Sequence, residues 1–100
     1  MSQFRVGLVG AGYIADIHAE VLRKPPGVDM AMVADPVLAK AEALARTWGI
    51  GQSVDDASAL IGKVDTAHVL VPPGLHRQVA EPLLRAGVHV LLEKPMAETP

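Results

Sequence analysis

The stretch FRVGLVGAGYIA, residues 4–15, decides the fold of this chain. Its first half is short and apolar with β-branched valines, which is typical of a buried parallel strand. Its second half, GAGYIA, fits the pattern G-x-G-x-x-G/A and lies between that strand and a segment with helical spacing. The stretch therefore predicts a strand, a tight glycine turn and a helix in succession, which is the opening unit of a parallel α/β sheet.

Strand and helix patterns alternate along the rest of the chain. Apolar residues recur every three or four positions from Tyr13 to Leu22 and predict a helix, which Pro25, Pro26 and Gly27 end. The segments that follow are predicted as a strand at Val28–Ala34, a helix at Val37–Trp48, a weak strand at Ile50–Val54, a short helix at Asp56–Ile61 with Asp55 as its N-cap, a strand at Thr66–Val71, a helix at Leu75–Ala86 and a strand at Val88–Glu93. We therefore expect a doubly wound parallel α/β sheet of the Rossmann type, with strand order 3-2-1-4-5 and helices on both faces.

Composition narrows the range of functions. The length of 100 residues suits a single domain, and the absence of cysteine excludes disulfides, thiolate zinc sites and cysteine nucleophiles from this segment. A net charge of −2 and a single residue each of Phe, Tyr and Trp disfavour a nucleic-acid partner. No apolar run reaches the roughly 18 residues that span a bilayer, and the chain opens on no secretory signal, so we expect a cytoplasmic protein without a membrane partner.

The glycine turn predicts a site for a diphosphate. Gly10 permits the tight turn, Gly12 leaves no Cβ between the backbone and a phosphate, and Ala15 lets the helix pack closely on the sheet. The unpaired N–H groups around Tyr13 and Ile14 and the positive end of the helix dipole favour an anion. A turn that serves only packing is the alternative interpretation. The absence of Gly-Lys-Ser/Thr excludes a P-loop, whereas an S-adenosylmethionine-dependent methyltransferase shares this arrangement.

An acidic residue follows the second predicted strand. Asp35 lies about twenty residues beyond the glycines, where a carboxylate can accept hydrogen bonds from the adenosine ribose hydroxyls of NAD. Because Asp35 precedes Pro36, an N-cap for the next helix is the competing explanation. A 2′-phosphate would meet this carboxylate with no cation at Pro36 or Val37 to offset it, so NAD is favoured over NADP. Lys40, one helical turn later, keeps NADP as an alternative.

The segment after the fourth predicted strand reads VPPGLH, residues 71–76. Val71, Pro72 and Pro73 form a stiff edge that neither a strand nor a helix can continue, and this edge could border the nicotinamide ribose. His76 could contact the cofactor or lie on the surface at the start of a helix. The other histidines, His18, His68 and His89, lack metal-ligand spacing, so we interpret them as structural or surface residues and expect no metal site.

The motifs GAGYIA, Asp35, VPPGLH and AGVHVLLEKP together resemble the glucose-fructose oxidoreductase, inositol dehydrogenase and MocA-like (Gfo/Idh/MocA) family over essentially the whole chain. The resemblance implies that Glu93 and Lys94 lie beside the nicotinamide ribose and that Lys94 is a catalytic residue acting on the substrate hydroxyl or carbonyl. It also suggests a cis bond into Pro95. The chain departs from the family at Val71, where threonine is frequent.

The function implied by the resemblance is hydride transfer between a nicotinamide cofactor and a sugar, a polyol or a related compound. In such enzymes further acid/base residues come from a second domain. Thr99 and Pro100 are typical of a helix start, so we expect most of that substrate domain, and a surface for homo-oligomer formation, to lie outside this segment, which by itself should be inactive. The alternatives are a non-catalytic dinucleotide sensor and the methyltransferase.

Overall fold

The computed structural model of the chain describes residues 4–71 and 73–92, and its element order is the alternation of strands and helices that the sequence predicts. The strands are β1 (Phe4–Val9), β2 (Val28–Ala34), β3 (Gln52–Val54), β4 (Thr66–Val69) and β5 (His89–Leu92). The α-helices are α1 (Tyr13–Leu22), α2 (Leu38–Trp48) and α3 (His76–Arg85), and short 3-10 helices occur at Ala57–Leu60 and Pro73–Leu75.

The five strands form one parallel sheet in the order β3-β2-β1-β4-β5, which confirms the predicted doubly wound topology. The order reverses at β1, which pairs with β2 on one side and with β4 on the other. Open α/β sheets of this kind bind ligands at the carboxyl ends of the strands, in the crevice where the order reverses. We therefore expect a ligand site at the carboxyl ends of β1, β2 and β4.

The two faces of the sheet carry separate apolar clusters. On one face, helices α1 and α2 pack on the sheet through Ala15, Ala19 and Leu44, against Leu8 and Val33. On the other face, the cluster comprises Val9, Met32, Ala34, Leu60, Val64, Ala67, Val69, Leu83 and Val88. Helical elements therefore pack on both faces of the sheet, whereas the carboxyl ends of the strands lie at its edge and can hold a site.

Some predicted boundaries differ from the structure. The predicted helix at Asp56–Ile61 is a 3-10 helix, and its N-cap is Asp56 rather than Asp55, because the Asp56 carboxylate accepts a hydrogen bond from the Ser58 N–H at 2.8 Å. The strand at Gln52–Val54 is shorter than predicted, and β4 ends at Val69 rather than at Val71. Helices α2 and α3 are shorter by one or two residues than their predicted ranges, and strand β5 begins one residue later than predicted, at His89. Glu93, the predicted end of the last strand, lies outside the described residues.

The edge of the sheet opposite to the carboxyl ends is held by Asp65. Its carboxylate accepts hydrogen bonds from the Arg5 backbone N–H at 2.8 Å and from the Arg5 guanidinium at 3.3 Å. Its backbone connects two strands, since Asp65 N–H donates to Arg5 O at 2.8 Å and Asp65 O accepts from His89 N–H at 3.1 Å. The backbone hydrogen bond from Arg5, followed by the side-chain hydrogen bond, holds the pKa of Asp65 below its ordinary value of 3.8.

We expect Asp65→Asn to lower the urea midpoint of unfolding slightly at neutral pH. A carboxyl group whose pKa is lower in the folded state stabilises fully above the pKa of the unfolded chain, and this contribution is lost as the pH falls through the folded-state pKa. The difference between Asp65→Asn and wild type should therefore vanish in acid. Glu42→Gln, at an exposed position of α2, serves as the control. A difference that is the same at neutral and acidic pH would contradict the assignment.

Candidate functional site

Three backbone hydrogen bonds align the chain segments that leave the carboxyl edge of the sheet. Gly10 N–H donates to Ala34 O at 2.7 Å, Asp35 N–H to Val54 O at 3.1 Å and Leu70 N–H to Val9 O at 2.8 Å. Each bond lies one residue beyond the end of a strand. The glycine turn, Asp35 and the segment after β4 therefore meet at one place, as the sequence predicts.

The glycine turn is packed against the segment that follows β4 on one side and is open on the other. Gly10 has φ +101°, and a Cβ at this position would lie 3.2 Å from the carbonyl carbon and oxygen of Leu70. Gly12, the N-cap of α1, would place a Cβ with no heavy atom within 4 Å. Ala15 is buried against the sheet, which confirms its predicted packing role. At Gly12 the turn thus presents only backbone atoms to the groove at the start of α1, which Ala11 and Tyr13 also line.

The amides at the start of α1 are placed to hold an anion. The first backbone bond within this turn runs from Ala15 N–H to Gly12 O at 3.0 Å. The N–H groups of Tyr13 and Ile14 precede it, at positions where helical geometry provides no carbonyl partner, and Gly12 has no side chain that could cap them. The positive end of the helix dipole lies at the same point. These donors suit a diphosphate.

Asp35 connects the glycine turn to the start of α2. One carboxylate oxygen, Oδ2, accepts a hydrogen bond from Ala11 N–H at 2.9 Å, and the other, Oδ1, accepts from Val37 N–H at 2.8 Å. The N-cap of α2 is Val37, so the competing interpretation of Asp35 as the helix N-cap is wrong in position, although its carboxylate does bind the amide of the N-cap residue. Reasoning from the sequence missed the contact with Ala11.

A cavity of about 300 Å³ adjoins Asp35. Its walls are mostly apolar, with Val9, Val71 and Leu83 among the lining residues, whereas the carboxyl-bearing residues Asp35 and Asp55 line the same space. Ligand pockets commonly combine apolar walls with a few polar groups at this scale. A flat aromatic ring can lie between such walls while hydroxyl groups reach the carboxylates.

Asp56 is a third acidic residue on this cavity, beside Asp35 and Asp55. The Ser58 backbone N–H, followed by the Ser58 side chain, holds the pKa of Asp56 below its ordinary value of 3.8. The carboxylate therefore stays charged at neutral pH. Its negative charge would repel an anionic group, such as a phosphate, that entered this cavity.

Lys40 lines a different space. It faces a groove of about 320 Å³ between α1 and α2, together with Gly12, Tyr13 and Asp16. The residues that line this groove are different from those that line the Asp35 cavity, such as Val71 and Leu83. Lys40 is therefore not among the residues that line the cavity beside Asp35.

The segment after β4 is held by His76. Its Nε2 lies 2.9 Å from Val71 O, which requires Nε2 to carry the donating hydrogen. Val71 lines the cavity, so His76 contributes to the site by holding the backbone of Val71 in place. Sequence reasoning did not include this contact. The predicted cofactor contacts of His76 and Pro73 stay predictions. Pro72, Glu93, Lys94 and the bond into Pro95 lie outside the described residues.

The remaining histidines are part of the scaffold. His18 Nδ1 of α1 and His68 Nδ1 of β4 lie 3.1 Å apart, with their rings edge to face. His89 is exposed at the start of β5. Over residues 4–71 and 73–92, no group of three or more His, Asp or Glu side chains is placed to hold a metal ion. Within the same ranges, none of the helices has the length and hydropathy needed to cross a membrane.

Comparisons with known proteins identify the family of this chain. The Gfo/Idh/MocA family model, described as an oxidoreductase family with an NAD-binding Rossmann fold, matches residues 4–100. D-glucoside 3-dehydrogenase of Escherichia coli (strain K12) is 36% identical, and the match covers 99% of this chain and 29% of that protein.

Solved structures share the fold. Scyllo-inositol dehydrogenase from Lactobacillus casei, with bound NAD(H) and scyllo-inositol, superposes with a TM-score of 0.83 at 27% identity, over 94% of this chain and 28% of that one. A variant of KijD10, a 3-ketoreductase from Actinomadura kijaniata in complex with TDP-benzene and NADP, superposes with a TM-score of 0.85 at 31% identity, over 95% of this chain and 31% of that one. The chain thus spans less than a third of the length of these relatives. It belongs to the Gfo/Idh/MocA oxidoreductase family, of which it carries the NAD-binding Rossmann domain.

Proposed function

We propose that this chain is the cofactor-binding part of an NAD-dependent oxidoreductase that transfers hydride to or from a sugar, a polyol or a related hydroxyl or carbonyl compound. The observation that carries the proposal is the position of Asp35, whose carboxylate contacts the glycine turn at Ala11 and also lines the adjoining cavity. A dinucleotide needs a diphosphate site and a ribose acceptor side by side, and these residues provide both. The substrate class rests on the names of the relatives.

Each part of the cofactor has residues that would hold it. The N–H groups of Tyr13 and Ile14 would bind the diphosphate, Asp35 would accept hydrogen bonds from the adenosine ribose, and the cavity beside Asp35 would take the adenine ring. Val71 and the following prolines would border the nicotinamide ribose. The nicotinamide, when bound, supplies the hydride donor or acceptor. The chain's own residues bind and orient it.

Lys94 and Glu93 complete the proposal on the strength of the family resemblance. An ammonium group at Lys94 would orient the substrate oxygen and exchange a proton with it, while Glu93 would lie beside the nicotinamide ribose. A small-molecule substrate, a cytoplasmic location and a homo-oligomer of the whole protein belong to the same proposal.

The related structures do not decide between NAD and NADP, because one contains NAD(H) and another contains NADP. The residues of this chain must therefore discriminate between the two cofactors. The cavity beside Asp35 has three acidic residues, Asp35, Asp55 and Asp56, among those that line it, and no lysine or arginine among the described lining residues. A 2′-phosphate would bring about two negative charges to this region. The residues therefore favour NAD.

We expect the chain to bind NADH at least about tenfold more tightly than NADPH, a difference of about 1.4 kcal/mol. Asp35→Ala should weaken NADH binding more than NADPH binding, because it removes the ribose acceptor for the first and relieves repulsion for the second. Fluorescence titration of the chain with both cofactors measures the ratio. Equal losses would remove Asp35 from cofactor choice, and binding of S-adenosylmethionine instead of either cofactor would overturn the function.

A further inference from the structure

The carboxylate of Asp35 is divided between two backbone amides that belong to different parts of the fold. The Val37 amide is two residues away, whereas the Ala11 amide lies 24 residues earlier in the chain, inside the glycine turn. A ribose ligand at the end of β2 has no need of the second contact. The bond to Ala11 therefore calls for an explanation of its own.

The glycine turn is held from both sides. Gly10 is bound to the backbone of β2 through its N–H bond to Ala34 O at 2.7 Å. The next residue, Ala11, is bound by the Asp35 side chain at 2.9 Å. These two hydrogen bonds fix the consecutive peptide units Val9–Gly10 and Gly10–Ala11, one residue ahead of Gly12. Because the Ala11 N–H is occupied by the carboxylate, the donors left to an anion are those of the first turn of α1.

We propose that Asp35 is a positioning residue for the diphosphate: its bond to Ala11 holds the glycine turn in the form that binds phosphate before any cofactor arrives. The inference rests on the proposed function and extends it. Hydrogen bonds to a charged acceptor are stronger than neutral ones, and a turn that is ordered in advance loses less conformational entropy on binding. Asp35 thus contributes to the affinity for any diphosphate, with or without a ribose.

Inorganic pyrophosphate separates this role from ribose binding. If Asp35 acted only on the ribose, Asp35→Ala would leave pyrophosphate affinity unchanged or raise it, because a negative charge near the anion is removed. The positioning role predicts the opposite sign. Asp55→Ala is the matched control, since Asp55 follows the neighbouring strand, lines the same cavity and carries the same charge.

Two measurements on wild type, Asp35→Ala and Asp55→Ala test the proposal. Phosphorus NMR titration gives pyrophosphate affinity, which we expect to fall about threefold or more in Asp35→Ala and to stay equal or rise in Asp55→Ala. Amide hydrogen exchange gives the state of the turn. We expect the Ala11 amide to exchange at least about tenfold faster in Asp35→Ala, while the Leu8 amide in the core of β1 keeps its relative protection.

The outcomes are distinct. Equal pyrophosphate affinities in the two variants, an Ala11 amide that exchanges at the wild-type rate, or wild type that binds no pyrophosphate would each overturn the positioning role. Faster exchange at Ala11 and Leu8 alike would mean general destabilisation and would also count against it. Absence of NADH binding in wild type would contradict the proposed function instead, because pyrophosphate binding and Ala11 exchange do not depend on the adenosine half of the cofactor.

Discussion

Gly10→Val is expected to abolish measurable NADH binding and to destabilise the domain by about 2–4 kcal/mol. Gly10 has φ +101°, a backbone conformation that is energetically unfavourable for a β-branched residue. The Cβ of a valine at this position would lie 3.2 Å from backbone atoms of Leu70, which cannot move without disturbing β4. The displaced turn would change the direction of the N–H groups at the start of α1, which are proposed to bind the diphosphate. Urea denaturation and NADH titration measure the two effects, and we expect affinity to fall at least about 100-fold.

Gly12→Ala is the matched control for this prediction. Its Cβ would meet no heavy atom within 4 Å, and its φ of −86° is accessible to alanine, so stability should change by less than about 0.5 kcal/mol. The added methyl group would face the diphosphate, and NADH affinity should fall about tenfold. Gly10→Val that keeps wild-type stability, or Gly12→Ala that binds NADH as wild type does, would contradict the assignment of the turn.

Lys94→Ala is expected to lower turnover of the whole protein by at least about 100-fold while changing NADH affinity by less than about threefold. The proposed role of the ammonium group is to orient the substrate oxygen and exchange its proton, which affects the reacting groups more than cofactor binding. Steady-state kinetics and NADH titration separate the two quantities. The resemblance of the EKP motif, residues 93–95, carries this prediction.

Lys94→Arg distinguishes orientation from proton exchange. Arginine keeps the positive charge but stays protonated at all ordinary pH values, so it can orient an oxygen without exchanging its proton. We expect it to restore substrate affinity more than turnover. Lys63→Ala, at an exposed position before β4, is the control and should leave both quantities unchanged. Unaltered turnover in Lys94→Ala would remove this residue from the mechanism.

The sheet topology could be predicted because it depends on local patterns and on a general rule. Apolar runs that alternate with helical spacing define the parallel strands, and the right-handed crossover restricts their order. The positions of the glycine turn and Asp35 at the carboxyl edge of the sheet could be predicted for the same reason, since each directly follows a strand. Short elements were less predictable. Asp55 and Asp56 are equally good capping residues in sequence, and only the hydrogen bond to Ser58 shows that Asp56 is the N-cap.

By itself, the sequence determined which residues leave the carboxyl edge of the sheet: the glycines for which we propose phosphate binding, and the acid for which we propose ribose binding. The tertiary structure alone decided how they meet, with Asp35 bound to Ala11, His76 bound to Val71 and Gly10 packed against Leu70. The physical reason is that strand periodicity is a local property, whereas these contacts depend on the register between strands and on side-chain direction. A difference of one residue in register would turn the same side chains to the other face.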